Sequence, residues 1–547
     1  MIDKVKIVNF KSFKGEFNLQ LNEGLNIIVG DNEAGKSTIL EAIHLALTGN
    51  FNGRHIRNEI SQYLFNKEIV EAYLNDINSG QGSELPYVLI EIYFKGDEFS
   101  LYEGNGNLEK QGKVSGIAFK IAFREDYQSE YEALIKLGSI NSLPIEYYDV
   151  SWTSFARESV TPRLIPIKSA LIDSSSARYQ NGSDIYVSRI VKDTLEEEDI
   201  VNISQAHRKM RENFMKDQAV STINEKISGY GKLSDKKIEL SVDLSSKNAW
   251  EGSLVTELNN IPFQYIGKGE QSIVKTDLAL GNKQSKNASI ILIEEPENHL
   301  SYAKLNQLVG NIKHNFSDKQ IIITTHSSFV ANKLGLSHLI LLNNHKTLRL
   351  SSLNKNTKEF FEKIAGYDTL RLILCKKAIL VEGDSDELII QKAYMKDHDG
   401  RLPIEDGIDV ISTGVTFLRF LEIADILKKP TVIVTDNDGD IDAIDKKYKN
   451  YIGDQQKPHI KICVDRYVDT EPQEIDGEKY NCNTLEPKLL KVNSLDVLNR
   501  VFGTKHKSED KLRSYMKRNK TECAFKIYNS EEEVVYPDYI LEAIKDE

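Results

Sequence analysis

The chain has 547 residues, 40% hydrophobic and 28% charged, with a formal net charge of −12. That length accommodates about two to four domains with full apolar cores, and the composition excludes a collagenous, fibrous or mainly disordered chain. The acidic total leaves nucleic acid open as a partner, because phosphate binding needs only a local basic groove.

The first forty residues alternate as strands do, through VKIVNF, FNLQLN and GLNIIVG. The last run stops at a glycine-rich turn, and TILEAIHLAL follows at helical spacing. Another strand, YVLIEIYF, covers Tyr87 to Phe94, with a meander suggested after it. Residues 115–250 mix short strands such as GIAFKIAF with a polar helical stretch. There Ile203, Ala206, Met210 and Phe214 share one helical stripe, and Val220, Ile223 and Ile227 restart it. Two readings stay open for this stripe: a core-facing helix, or an inserted arm packing against a second copy.

Beyond residue 285 the pattern is regular α/β: SIILIEEPE, KQIIITTHS, HLILLNN. A polar helical linker is expected around 353–370. A second α/β series follows: KAILVEGDSDE, IDVIST and TVIVTDNDGD. Two series of apolar, parallel-type strands predict two doubly wound sheets. No apolar run reaches membrane-spanning length and the opening residues lack a signal-peptide core, so the expected compartment is the cytoplasm. The four cysteines (Cys375, Cys463, Cys482, Cys523) form no CxxC pair and read as reduced thiols.

Gly30 to Ser37 (GDNEAGKS) fits GxxxxGK[ST] without a mismatch, between a strand and a helix. Glycines let backbone N–H groups wrap phosphates, Lys36 reaches the outer phosphates, and the Ser37 hydroxyl meets magnesium. Asn32, Gly35 and Thr38 complete the expected ATP-binding set. In IILIEEPE, a buried strand ends on two carboxylates. Glu294 is expected to hold magnesium, and Glu295 to polarise the attacking water as general base. A third strand ends at His326, whose imidazole could reach the γ-phosphate. In the second half, Glu382 follows one strand, and Asp436 and Asp438 follow another. On an extended end, residues i and i+2 share a face. Carboxylates gathered at the ends of parallel strands suit a hard divalent cation, and two such ions about 4 Å apart suit in-line attack on a phosphodiester.

The order of the first three motifs resembles the ABC-type ATPase heads of the SMC, RecF and Rad50 group, in which two heads sandwich two ATP molecules. The resemblance implies a signature turn from the partner head. The candidate is Gly267-Lys268-Gly269-Glu270-Gln271, which departs from the usual LSGGQ but keeps Gly269 to cradle a γ-phosphate. The long interval between Ser37 and Glu294 points to an insertion, which favours the arm reading. It should also hold a glutamine loop, for which Gln62 is the candidate.

The Glu382…Asp436-x-Asp438 pattern resembles the Toprim domain, and the whole chain resembles the OLD (overcoming lysogenisation defect) nucleases, as in Gabija-type or retron-associated phage defence. The fold implied is an SMC/RecF-like ABC ATPase head over 1–365, with an inserted helical dimerisation region at about 125–250. A doubly wound Toprim domain over 370–547 follows it. The resemblance further implies Asp386 and Glu486 as metal ligands, Ser412 to Thr416 as the turn after the second Toprim strand, and Lys520 as the lysine that steadies the transition-state phosphate. Residues 505–526 carry eight Lys or Arg against three acids, a candidate clamp for a DNA backbone.

The function implied is an ATP-regulated, divalent-metal-dependent DNA endonuclease in antiphage defence. Its cofactors would be ATP and Mg2+, with Mn2+ or Ca2+ substituting in the Toprim site. Its partners would be DNA, further copies in a homodimer or homotetramer, and a helicase-like subunit or a reverse transcriptase with its small DNA. No membrane partner is implied. The alternative is a RecF/SMC-like DNA-binding repair ATPase without nuclease activity, which would need a degenerate carboxylate site. A primase would bring a cysteine-rich zinc ribbon, and a topoisomerase a strand-passage domain for which no chain is left over.

Overall fold

The computed structural model describes the chain except residues 32, 81–83, 139, 174–178, 181–182, 185–194, 229–239, 241–249, 251–254, 282–287, 299, 316–318, 344, 351, 364–368, 473, 476 and 546–547. Two compact units result. One holds 1–28, 32–325 and 344–346, and the other holds 29–31, 326–343 and 347–547.

In the first unit an antiparallel sheet runs in the order Glu16–Gln20, Ile2–Val8, Val88–Phe94, Ser115–Phe123, Tyr148–Ser154. Alternation writes its register: in Glu16–Gln20 the apolar Phe17 and Leu19 face inward and the polar residues outward. Parallel pairing then joins Leu25–Gly30 to Gln320–Thr324, that strand to Ile290–Glu294, and that one to Ser169–Asp173. The strands Leu25–Gly30, Ile290–Glu294 and Gln320–Thr324 are mostly apolar and almost wholly buried, as strands covered on both faces must be. The helix Lys36–Thr48 buries Ile39, Leu40, Ile43 and Leu47, and its Ala46 carbonyl accepts the Trp152 indole N–H at 2.9 Å.

The helical insertion expected over about 125–250 is narrower than that. Tyr148–Ser154 closes the antiparallel sheet and Ser169–Asp173 is a strand of the parallel one. Among the described residues of that interval the α-helices are Gln128–Lys136, Glu197–Met215 and Gln218–Ser228. Glu197–Met215 buries no residue, and Met210 (58% exposed) and Phe214 (54%) of the stripe stand outward. The core-facing reading therefore fails for Glu197–Met215, whereas Val220 of Gln218–Ser228 is buried.

The second unit is built on a parallel sheet in the order Ile408–Ser412, Lys377–Val381, Thr431–Val434, Ile460–Cys463. Its core joins Ile379, Val381, Val410 and Val432 to the helices Asp384–Asp397, Leu485–Val492 and Lys520–Asn529. The chain winds from Lys377–Val381 outward to Ile408–Ser412, then returns to the other side with Thr431–Val434. The topological switch point thus falls between the strands that precede Glu382 and Asp436. Ligands of open α/β sheets bind at that place, beyond the carboxyl ends of the strands. The linker expected around 353–370 contains the helix Lys355–Lys363.

Candidate functional site

The phosphate loop has the local geometry its glycines predict. Gly35 sits at φ 100°, and a Cβ there would lie 2.8 Å from the Phe13 ring and 2.9 Å from the Ser12 hydroxyl. Glycine is therefore required both by conformation and by space. Gly35 opens the helix Lys36–Thr48, so N–H groups of the first turn face the loop. Lys36 and Thr38 are buried and Ser37 is exposed. The Ser12 hydroxyl donates to Thr38 Oγ1 at 3.3 Å. Asn32 lies outside the described residues.

Glu294 ends its strand in register with Thr324 on one side and Asp173 on the other. Glu295 leaves the strand in a left-handed conformation, φ 39°. Its N–H donates to the Thr324 carbonyl at 2.9 Å, and its carboxylate accepts from Asn298 Nδ2 at 2.8 Å. The kink ends the extended strand between the two carboxylates. His326 is exposed, two residues past the end of Gln320–Thr324. Gly269 lies in the first turn of the helix Lys268–Gly281. Gln271 is buried, and its Nε2 donates to the Phe263 and Ile266 carbonyls at 2.9 and 2.8 Å, so it holds its own turn together. Ser272 Oγ donates to the Asn298 carbonyl at 3.2 Å, tying this helix to the Glu295 turn. Gln62 Oε1 accepts the Leu143 N–H at 3.2 Å.

In the second unit the carboxylates converge. Burial, then Asp386, Glu382, Glu486 and Asp438 in that order, push the Asp436 carboxyl well above the usual range. Burial followed by Glu382 pushes Asp386 up to about 7. Each carboxylate is also held. Thr435 Oγ1 donates to Glu382 Oε1 at 2.6 Å, the Gly383 N–H to Asp386 Oδ2 at 3.0 Å, and the Leu485 N–H to Asp436 Oδ2 at 3.2 Å. The Thr484 hydroxyl donates to Glu486 Oε2 at 3.3 Å. Lys520, first residue of its helix, brings Nζ to 3.3 Å from Glu486 Oε2.

The shared face expected of Asp436 and Asp438 is absent. The strand ends at Val434, and Asp438 occupies a left-handed turn at φ 49° before Gly439. Asp438 is exposed and its Oδ1 accepts from Asn481 Nδ2 at 3.0 Å. The turn-forming run Asn437-Asp438-Gly439 prevails over the extended strand.

The basic run 505–526 is also partly spent. Arg513 pairs with Glu509 and Asp510, and Lys517 pairs with Glu478. Lys526 bonds the Phe502 carbonyl and the Tyr515 hydroxyl. Exposed Lys505, Lys507 and Arg518 remain for a backbone phosphate.

Among the described residues no group of three or more carboxylates, histidines or cysteines is placed to hold a metal ion as it stands. The chemistry of the group nevertheless fits a hard cation. Four carboxylates repel one another at a switch point with one lysine to offset them, and magnesium keeps most of its waters and takes only one or two protein carboxylates directly.

Reasoning from motifs missed the supporting residues. Asn437 Nδ2 donates to the Asp465 and Tyr467 carbonyls at 2.6 and 3.0 Å. Lys488, 3% exposed, pairs with Asp465 at 2.6 Å and Asp469 at 2.7 Å. Lys488, two residues past Glu486 on the helix Leu485–Val492, was the available signal: a lysine amid an apolar helical run.

Fold and site together define an ABC-type ATPase head joined to a Toprim domain. The chain belongs to the AAA ATPase domain family, whose model matches residues 1–331, and the overcoming lysogenization defect protein-like TOPRIM domain matches residues 373–438. It is similar to the Septu protein PtuA of Bacillus mycoides, 23% identical over 353 residues, covering 62% of this chain and 39% of that one. It is also similar to the DNA double-strand break repair Rad50 ATPase of Methanopyrus kandleri, 51% identical over 47 residues, 9% of this chain and 5% of that one. The chain thus spans well under half the length of these relatives. The SMC head domain of Thermotoga maritima aligns over 63% of this chain and 97% of that one, at 14% identity and a TM-score of 0.28. The two domains imply use of a nucleotide and a divalent metal. No described helix is long and apolar enough to cross a membrane.

Proposed function

We propose that the protein is an ATP-regulated, divalent-metal-dependent DNA endonuclease of antiphage defence. The observation that carries this reading is the gathering of Glu382, Asp386, Asp436 and Glu486 around one switch point, with Lys520 reaching Glu486. Divalent ions there would neutralise phosphate charge and supply a hydroxide nucleophile near neutral pH. Thr435 and the Gly383 N–H aim Glu382 and Asp386 toward the shared space. Glu486, with Asp438 at the rim, completes the ligand set. Lys520 neutralises the charge that develops as water adds to phosphorus and the P–O bond to the leaving oxygen breaks. Exposed Lys505, Lys507 and Arg518 take flanking phosphates.

In the head, Lys36 binds the outer phosphates, Ser37 and Glu294 hold magnesium, and Glu295, fixed by Asn298, orients the attacking water. Gly35 and Thr38 line the loop, and Asn32 is a nucleotide contact on the motif alone. His326 contacts the γ-phosphate, and Gly269 from a second copy closes the sandwich. The helices Glu197–Met215 and Gln218–Ser228 form the dimerisation arm of a homodimer or homotetramer. It works in the cytoplasm, with a helicase-like subunit or a reverse transcriptase and its small DNA as partner.

The test is cleavage of supercoiled and linear DNA with Mg2+ or Mn2+, with and without ATP, by wild type and Glu382→Ala. Metal-dependent nicks lost in Glu382→Ala support the reading. Equal cleavage by both proteins sinks it.

A further inference from the structure

His326 begins a segment, 326–343, that belongs to the same compact unit as 347–547. Its connections to the carboxylate site are made by side chains. Ser327 Oγ caps the helix Ser328–Leu334 by accepting the Val330 N–H. On that helix fully buried Asn332 accepts the hydroxyl of fully buried Thr369 at 2.6 Å, and Ser328 Oγ accepts the Leu370 N–H at 3.3 Å. Thr369 and Leu370 open the helix Thr369–Leu374, which runs into the strand Lys377–Val381 and so to Glu382.

Arg371 on the same helix makes a bidentate pair with buried Asp409, at 3.0 and 2.5 Å, and donates to the Val410 carbonyl at 2.9 Å. Its guanidinium also lies 3.9 Å from Glu387, one residue past Asp386. A second attachment centres on Glu422 and meets the segment through the helix Lys355–Lys363, whose Glu362 carbonyl accepts from Lys333 Nζ at 3.3 Å. The Glu422 carboxylate accepts the Asn354 N–H, Asn354 Nδ2 and, at 2.7 Å, the Thr357 hydroxyl. Beside it, Arg419 lies 4.2 Å over the Phe360 ring and donates to the Asn356 carbonyl at 2.7 Å. Glu422 stands on the helix Phe417–Leu427, which follows the turn where the Thr413 N–H bonds the Val381 carbonyl at 3.0 Å and the Ser412 hydroxyl bonds the Glu382 carbonyl at 3.4 Å. One attachment thus reaches Glu387, next to Asp386, and the other the main chain of Glu382. Planar bidentate pairs fix orientation as well as distance.

We propose that Arg371 and Glu422 are positioning residues that make the segment after His326 a rigid extension of the nuclease site. A phosphate bound at His326 then acts directly on the placement of Glu382 and Asp386. This inference rests on the nucleotide and nuclease readings above, and it assigns the regulation of that site to named side chains. An effector acts only through a state that both sites bias, and the two attachments are where that bias is transmitted.

The test is hydrogen exchange on the full chain with and without a non-hydrolysable ATP analogue and Mg2+, for wild type, Arg371→Gln and Glu422→Ala. In wild type the analogue slows exchange over residues 25–48 and also over 377–390 and 408–427. In both variants the first effect stays and the second is lost, and any ATP response of DNA cleavage falls to a ratio of about one while ATP hydrolysis stays within about twofold. The charge-reversed pair Arg371→Asp with Asp409→Arg restores the second effect, which a merely structural role would not produce. Glu422→Ala carries the test should Arg371→Gln fail to fold. The proposal is overturned if wild type protects 25–48 without 377–390, or if the folded variants keep the distant effect. No protection over 25–48 would remove the nucleotide reading and this inference with it. Absence of cleavage alongside the expected exchange pattern would remove the nuclease reading only.

Discussion

Gly35 shows how tightly one position can be specified. A methyl group there meets Phe13 and Ser12, and the backbone sits at φ 100°, which costs an L side chain about 1–3 kcal/mol. Gly35→Ala should therefore weaken nucleotide binding at least about tenfold with the fold retained, as titration with a fluorescent ATP analogue would show. Unchanged affinity would separate the loop from nucleotide binding. Lys488 works differently, through charge. Burial acts against it, yet its bonds to Asp465 and Asp469 hold the ammonium above its ordinary range, while those of Lys488 and Lys491 hold the Asp469 carboxyl below its own. Lys488→Met removes this partner from Asp465 and leaves Asp469 with Lys491 alone, at about 1–3 kcal/mol. The Asp469 contribution is present above the unfolded carboxylate pKa and is lost as pH falls through the lower folded value. Wild type should then lose stability in acid below about pH 4, and the variant less steeply, by thermal unfolding across pH. At this scale the phosphate loop was legible because all its parts are contiguous. The turn at Asp438 was not legible from the alternating carboxylates alone, because its flanking Asn437 and Gly439 end the extended strand that the i, i+2 spacing assumes.

Among elements, those that repeat a pattern over many residues were readable and those joined only through distant partners were not. The strands Ile290–Glu294, Gln320–Thr324 and Lys377–Val381 are continuous apolar runs, and each was placed from sequence. Ser169–Asp173 is five residues long and gains its place by pairing with a strand more than a hundred positions away, which no local pattern records. The helix Glu197–Met215 was recognised from its stripe, but the stripe does not say whether its apolar side meets this chain or another. Met210 and Phe214 stand outward, so a double change to aspartate should cost the fold under about 0.5 kcal/mol. If the arm joins two copies, it should also shift the protein toward monomer in light scattering. An unchanged oligomer would place the contact elsewhere.

Across the whole molecule, the order of motifs identified the ATPase head and the Toprim domain, and the matches over 1–331 and 373–438 fall on those two regions. The grouping of 326–343 with the second unit was not legible, because it rests on tertiary packing, with bonds such as Asn332 to Thr369, between residues far apart in sequence. At this scale Lys36→Ala should abolish any difference between cleavage with and without ATP while leaving metal-dependent cleavage itself in place. A variant that still responds to ATP would contradict control by the head. The central claim is that the carboxylates of the second unit hold the metal that cuts DNA. Calorimetric titration of Mn2+ into wild type and Glu382→Ala, both with Lys36→Ala to silence the head, with plasmid cleavage followed on the same samples, tests it most directly. The account predicts saturable binding and nicking in the first protein and the loss of both in the second. Equal metal binding by the two proteins would contradict it.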